Sequence, residues 1–366
     1  MTTPTKIPFY AKASLVFIGL FAFISMLFLT KRIILPIIYS TIIAIVLSPM
    51  VDFLVKKKMN RVLAIATAIS LVSFVTILFV IVLASELSSL SDSFPKLVDK
   101  FYETLNSSVV WASGYFNISA QKINLYVADT KIAIMEGSRS SIGATLTTVG
   151  GMMIVLVLIP VYVFMLLFYQ PLLLDFIRRL FGENNKKEVN EVLNSTKIIV
   201  RKYLVALLIE AAIIATLNSI GLLIIGIDYA IVLGIIGALV NVIPYIGGII
   251  AVALPMIVAF VTKSSSSYAL MVFVVYVVIQ FIDNHYVVPK IVASKVKVNA
   301  LISVIVVLAG GALWGVPGMF LSIPLTAILK VIFDHIEALK PWGFLLGDTM
   351  PVIALFKLKI NKPKIN

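Results

Sequence analysis

Runs of uncharged, apolar residues decide what this chain can fold into. Residues 13–30, 33–51, 62–85 and 298–329 contain no Asp, Glu, Lys or Arg, and neither does 140–174, which is polar only at its start. A helix crosses a bilayer core with about 20 apolar residues, and several of these runs reach or approach that length. Charge is scarce throughout: 13% of the 366 residues are charged and 61% are hydrophobic, against roughly 25% charged in a soluble domain. The pattern predicts an all-α polytopic membrane protein. The first run does not read as a cleavable signal, because Lys31 and Arg32 follow it, no small-residue cleavage site is evident, and a second apolar run begins at once.

Basic residues orient the spans. The formal net charge is +13, and in a membrane protein Lys and Arg collect at the cytoplasmic ends of spans and near anionic lipid. No aromatic–basic groove pattern accompanies the charge, so nucleic acid is not an expected partner. The turn Lys56-Lys57-Lys58-Met59-Asn60-Arg61 reads as cytoplasmic. It separates spans expected at about 33–54 and 62–84, with a first span at about 13–30 and the N-terminus cytoplasmic. That orientation puts Lys31 and Arg32 outside, against the rule. Residues 1–85 thus form an N-terminal set of spans. Residues 86–145 form an extracytoplasmic insert with balanced charges, in which Leu87, Leu90, Phe94, Leu97, Val98, Phe101 and Leu105 recur at helical spacing. Amphipathic helices over the membrane face, or a lid, are expected there. Residues 146–366 form the core. Spans fall at about 148–169 and 203–226, a basic cytoplasmic loop at 175–202, and a short cytoplasmic tail at the end.

The apolar segments that break their own pattern carry the most information. Residues 230–262 are interrupted by Gly234, Gly237, Asn241, Pro244, Gly247, Gly248 and Pro255. As one straight helix this segment would measure about 50 Å, too long for one crossing, and its halves are too short for two. A kinked single span is the plainer alternative; a re-entrant hairpin fits the lengths better. Residues 298–332 repeat the situation around Gly310, Gly311, Gly315, Pro317, Gly318 and Pro324. Between them lies a plain span, about 268–288, ending near Pro289 and Lys290. Alternation of sides then makes both broken segments begin and end on the same face, the first outside and the second inside. Non-helical backbone at membrane depth survives only where protein or a water-filled cavity covers it, and opposed interrupted segments mark a transporter's binding site.

Ionisable residues at depth are few. From 203 to 288 only Glu210, Asp228, Lys263 and Asp283 are charged, and Asp228 and Lys263 sit at segment ends. Gln280, Asp283 and Asn284 share a helical face, and charge inside a membrane usually faces a cavity. Glu210 reads equally as an interfacial partner of Arg201 or Lys202 and as a functional group. His285 reads as a structural hydrogen bonder. The expected site lining is Asn241, Pro244, Tyr245, Gly247, Gly248, Gln280, Asp283, Asn284 and Glu210. There is no cysteine, no P-loop, no GxSxG, no HExxH and no metal-ligand spacing, so neither an enzyme nor a resident cofactor is expected.

The stretches Asn241-Val-Ile-Pro-Tyr-Ile-Gly247, Gln280-Phe-Ile-Asp-Asn284 with Pro289, and Gly310-Gly-Ala-Leu-Trp-Gly-Val-Pro-Gly-Met-Phe-Leu-Ser-Ile-Pro324 resemble the AI-2E (autoinducer-2 exporter-like) transporters. The resemblance is specific in the last third and architectural before it. Many relatives carry Glu at the position of Asp283, which keeps the carboxylate, and Pro at the position of Ala300. The resemblance implies a bacterial inner-membrane protein with about seven or eight membrane segments. It also implies export of a small signalling molecule for some members and cation/proton antiport for others. The resulting expectation is a secondary transporter in the lipid bilayer for a small-molecule or ion substrate, coupled to protons or sodium. The alternative is a non-transporting scaffold or a channel-like pore built as a homo-oligomer.

Overall fold

The structure is a computed structural model that describes residues 8–116, 157–182, 185–243, 247–263, 265, 267–292 and 296–348. Pro244 and Tyr245, the second half of the expected insert, the start of the expected fourth span and the tail beyond Asp348 lie outside the described residues. All described elements are helical, in the order α1 (Phe9–Leu29), α2 (Lys31–Lys56), α3 (Arg61–Phe116), α4 (Val157–Phe168), α5 (Gln170–Phe181), α6 (Lys186–Ile225), α7 (Ala230–Asn241), α8 (Gly247–Thr262), α9 (Ser267–Ile282), α10 (Ala300–Trp314), α11 (Val316–His335) and α12 (Lys340–Leu346). Helix α9 continues as a π-helix, Asp283–Val292. Six described helices are long and apolar enough to cross a membrane, and the bent pair α4–α5 supplies a seventh candidate. Their outer faces are lined with exposed Leu, Ile, Val and Phe, as lipid rather than water would demand.

Two lengths differ from the sequence expectation. The third span does not end near residue 84: α3 runs 56 residues without a break, about 84 Å at 1.5 Å per residue. The polarity change at Glu86 alters which solvent the helix meets, not the backbone's preference, so the span and the first half of the insert are one rod. Likewise α6 has 40 residues and begins at Lys186, so most of the basic stretch expected as a loop is helix.

The α4–α5 bend is 63° and has a plain cause. Pro171 has no N–H to return to the carbonyl of Leu167, and that carbonyl instead accepts from Arg61 Nη2 at 2.9 Å. Arg61 Nη2 also donates to Gln170 Oε1 at 3.4 Å. A residue at the start of α3 therefore satisfies a backbone group that water would otherwise have to reach. Helix α3 is itself capped by Asn60 Oδ1, which accepts from Val62 N.

Both broken segments are hairpins. The ends of α7–α8 are held together by an ion pair between Lys263 Nζ and Asp228 Oδ1 at 3.5 Å, and Ala230 shares one buried cluster with Val258 and Val261. In the second hairpin Asn299 caps α10 by accepting from Ile302 N. Its Nδ2 donates to the carbonyl of Leu345 and its backbone N–H to that of Leu346. The start of α10 is thereby tied to α12, which follows α11. Gly315 turns this hairpin at φ +68°, a left-handed conformation that glycine adopts without strain. Gly310 and Gly318 let the two helices touch backbone to backbone: a Cβ on either would collide with the other's main chain. The two bases sit at opposite ends of the 26-residue Ser267–Val292 helix, so the hairpins enter from opposite sides of the bundle.

Two outcomes follow. Replacing Arg61 by Leu should lower unfolding stability by about 2 kcal/mol, the worth of a hydrogen bond to a charged group, measured by thermal or denaturant unfolding in detergent. In this cysteine-free chain, Asp228→Cys and Lys263→Cys should label with a membrane-impermeant thiol reagent from the same side of sealed vesicles. Labelling from opposite sides would mean that α7–α8 crosses.

Candidate functional site

The first hairpin carries its break into the middle of the bundle. At the end of α7, Asn241 Nδ2 donates to Asp283 Oδ2 at 2.8 Å. At the start of α8, Gly248 lies directly under Gln280, whose Oε1 would be 2.6 Å from any Cβ placed there. Gln280 in turn donates from Nε2 to Asn284 Oδ1 at 3.4 Å. The hairpin thus meets the polar face of α9 by one hydrogen bond, Asn241 to Asp283, and by the close packing of Gly248 on Gln280. Glycine stands at 248 because a larger residue would displace Gln280.

Asp283 is 2% exposed and its Oδ1 has no hydrogen-bond partner among the described residues. Glu210, on α6, is 6% exposed and close enough to Asp283 for the two charges to repel. A buried carboxylate normally demands a cation or several donors; this pair has one side-chain amide. Asp283 also opens the π-helix, which runs ten residues to Val292, long for a conformation seen mostly as single turns at functional sites. Pro289 sits inside it, where no N–H can return to the carbonyl of Asn284, the π-helical acceptor five residues back. His285 itself closes a local bond, its Nδ1 lying 3.0 Å from the Phe281 carbonyl.

These groups line one cavity of about 780 Å³. It extends from Tyr276, Gln280 and Gly248 past Glu210, Asn241, Asp283 and Asn284 to Val292, Val296 and Val298, with Asp348 at its far end. Ala300, Ser303 and Ile323 contribute from the second hairpin, and Tyr203 and Leu207 from α6. No Lys, Arg or His is among the described lining residues.

Of the residues singled out in the sequence, Asn241, Gly248, Gln280, Asp283, Asn284 and Glu210 meet in this cavity. Glu210 shares the cavity wall with Asp283 and forms no described ion pair with Arg201 or Lys202. Gly247 is buried beside the cavity against the backbone of Val240 and Asn241. Pro244 and Tyr245 belong to the undescribed 244–246. The second hairpin reaches the cavity with residues near its base. Its tip goes elsewhere: Trp314 Nε1 donates to the Leu27 carbonyl at 3.1 Å and the Tyr39 hydroxyl to the Pro317 carbonyl at 3.2 Å. Gly310, Gly311, Gly315 and Gly318 serve that tip and the α10–α11 contact, while Pro324 is buried in α11 beside Ile323. Tyr276 and Tyr203 carried no sequence signal of their own. Tyr276 lies four positions before Gln280 and Tyr203 seven before Glu210, so continuing each polar stripe by helical spacing would have found both.

Replacing Asn241 by Ala strips Asp283 of its donor. The expected cost is about 2 kcal/mol of unfolding stability, and Asp283→Asn should cancel most of it. A double-mutant cycle checks this: additive losses would mean the bond contributes nothing.

The model of the AI-2E family transporter matches residues 14–338. YueF of Bacillus subtilis is 25% identical over 337 residues, covering 90% of this chain and 89% of YueF. YrrI of the same organism is 26% identical over 313 residues, covering 83% and 87%. The AI-2 transport protein TqsA of Escherichia coli is 23% identical over 326 residues, covering 87% and 90%. With the family match running through every span and through both hairpins, this chain belongs to the AI-2E transporter family and is a multi-pass membrane protein.

Proposed function

We propose that this protein is a secondary transporter of the bacterial inner membrane. It moves a small solute through the cavity between the first hairpin and α9, coupled to a proton or sodium ion. The observation that carries the reading is the Glu210–Asp283 pair: two buried carboxylates on a cavity wall with no basic side chain among its described lining residues. In a low-dielectric setting an uncompensated carboxylate attracts a cation or takes up a proton, which lets such a group couple transport. Neutral polar groups beside it, Asn241, Gln280 and Asn284, suit a solute with hydrogen-bonding groups. A signal molecule of the kind named for TqsA and a cation exchanged for protons are the two cargoes that fit.

In the orientation we propose, the Lys56–Arg61 turn and both termini are cytoplasmic. The cavity then extends toward the cytoplasm through Val296, Val298 and Asp348. The buried cluster of Leu222, Leu233, Val258 and Val272 closes the outer side. This arrangement is an inward-facing carrier, and the short hairpin α7–α8 is the element able to rock between states.

Counterflow in proteoliposomes tests the proposal. Saturable exchange is expected, reduced about tenfold or more (~1.4 kcal/mol per decade) by Asp283→Asn and Glu210→Gln, with folded yield retained. Gradient-driven flux without exchange would indicate a pore, and no flux with any solute under pH or sodium gradients would indicate a scaffold. Full activity in Asp283→Asn would remove that residue from the mechanism.

A further inference from the structure

Beyond the cavity, on its side toward the Asp228–Lys263 end, lies a second group of polar atoms that the transport reading leaves unused. Asn218 on α6 is 2% exposed and Tyr276 on α9 is 6% exposed, and both sit among apolar side chains. The Asn218 Oδ1 and the Tyr276 hydroxyl have no hydrogen-bond partner among the described residues. Two buried, unsatisfied polar groups cost on the order of 1–3 kcal/mol each, and they stand together. A Cβ on Gly237 of α7 would fall 3.1 Å from the Tyr276 hydroxyl, 3.2 Å from Asn218 Nδ2 and 3.6 Å from the carbonyl oxygen of Ala251 on α8.

That carbonyl is special for a sequence reason. Its helical donor would be the N–H of residue 255, which is Pro255, so no i→i−4 bond can form there. Proline on α8, glycine on α7 and two side chains on α6 and α9 thus bring the Ala251 carbonyl oxygen, the Tyr276 hydroxyl and the Asn218 carboxamide together at a four-helix crossing. The Asn218 carboxamide presents its oxygen by a half-turn about its terminal bond. The nearest described charges along these helices are Asp283, about two turns from Tyr276, and Glu210, about two turns from Asn218. Both are carboxylates without a basic partner.

We propose that Asn218, Tyr276 and the Ala251 carbonyl around Gly237 form a second, occluded binding site for a dehydrated monovalent cation of about sodium's size. Oxygen ligands from neutral groups and from a helix carbonyl released by proline are the ligand set that such a cation takes at membrane depth. The unneutralised carboxylates nearby favour a cation over a neutral water molecule at the same place. The site deepens the transport reading by giving the coupling ion a seat apart from the carboxylates. Tyr276 belongs to both the site and the cavity wall, so occupancy would be felt at Gln280 one turn away.

The test measures binding rather than flux, so it can fail while the transport reading stands, and the reverse. Purified full-length protein in choline buffer is titrated with ²²Na⁺, with unlabelled sodium, lithium and potassium as competitors. Saturable sodium binding is expected. Tyr276→Phe, which removes one oxygen and keeps the ring, should weaken it about tenfold or more, and so should Gly237→Ala, which fills the space. Pro255→Ala, which returns an N–H to the Ala251 carbonyl, should weaken it several-fold. Asp283→Asn should weaken it less than any of these. Saturable binding that ignores Tyr276→Phe and Gly237→Ala, or that is lost mainly in Asp283→Asn, would overturn the site in favour of the carboxylate pair. Absence of saturable binding would also overturn it and leave the space to a water molecule.

Discussion

In a bilayer, a backbone polar group that loses its helical partner finds no water to replace it. That constraint explains most of what is irregular in this protein. Three described interruptions come with a substitute partner or with a cavity. The carbonyl of Leu167, released by Pro171, is met by Arg61 from another helix. The first turn of α10 is capped by Asn299, which also binds the carbonyls near the end of α12. The break between α7 and α8 has Asn241 at its edge, bound to Asp283 on the cavity wall. Helix breaks are costly here, so their positions report where the fold needs something other than a rod.

The two hairpins use that licence differently. The first presents its break to the cavity, and its ends are pinned by an ion pair. The second presents its base to the cavity, and its tip is fastened to the α1–α2 region through Trp314 and Tyr39. Its glycines serve close helix contact: Gly310 and Gly318 meet backbone to backbone, which is how small residues bring helices together where the hydrophobic effect gives no drive. The two hairpins are thus opposed but not equivalent: the first brings Asn241 and Gly248, beside its break, to the cavity, and the second fastens its tip to the α1–α2 region.

What could be read in the sequence follows the strength of each physical signal. Charge-free runs, flanking lysines and the Gly/Pro breaks made the spans, their number and both hairpins legible, because membrane insertion leaves a coarse and costly mark on composition. Gln280, Asp283 and Asn284 were legible as one face, since polar residues at depth are rare. Asn241 and Gly248 were legible from the break itself. The continuity of α3 was not, because a change from apolar to polar side chains resembles the end of a span whether or not the helix stops. Nor was the π-helix, whose residues differ little from those of an α-helix. Tyr203, Tyr276 and Asn218 passed as ordinary members of apolar helices; helical spacing from Glu210 and Gln280 would have flagged the two tyrosines, while Asn218 is revealed by tertiary contact.

These late-appearing residues change how the cavity is understood. From Glu210 and Asp283 alone it is a pocket with two acids at its wall. Adding Tyr276, Asn218 and the carbonyl above Pro255 extends the polar surface along the α6–α9 seam, toward the end where Asp228 and Lys263 clasp the hairpin. The intervening barrier is a handful of apolar side chains, Leu222, Leu233 and Val272 among them. A hairpin held at its ends and hydrogen-bonded at its tip can pivot only a little. Along this seam a small movement is enough, because the polar groups on either side of the barrier already stand within a few turns of one another. On the proposed transport reading, alternating access would then need a shift of α7–α8 against α6 and α9 rather than a rearrangement of the whole bundle, and Gly234, packed flat on Ser219 of α6, and Gly237, packed against Tyr276 of α9, are the surfaces on which such a shift would slide.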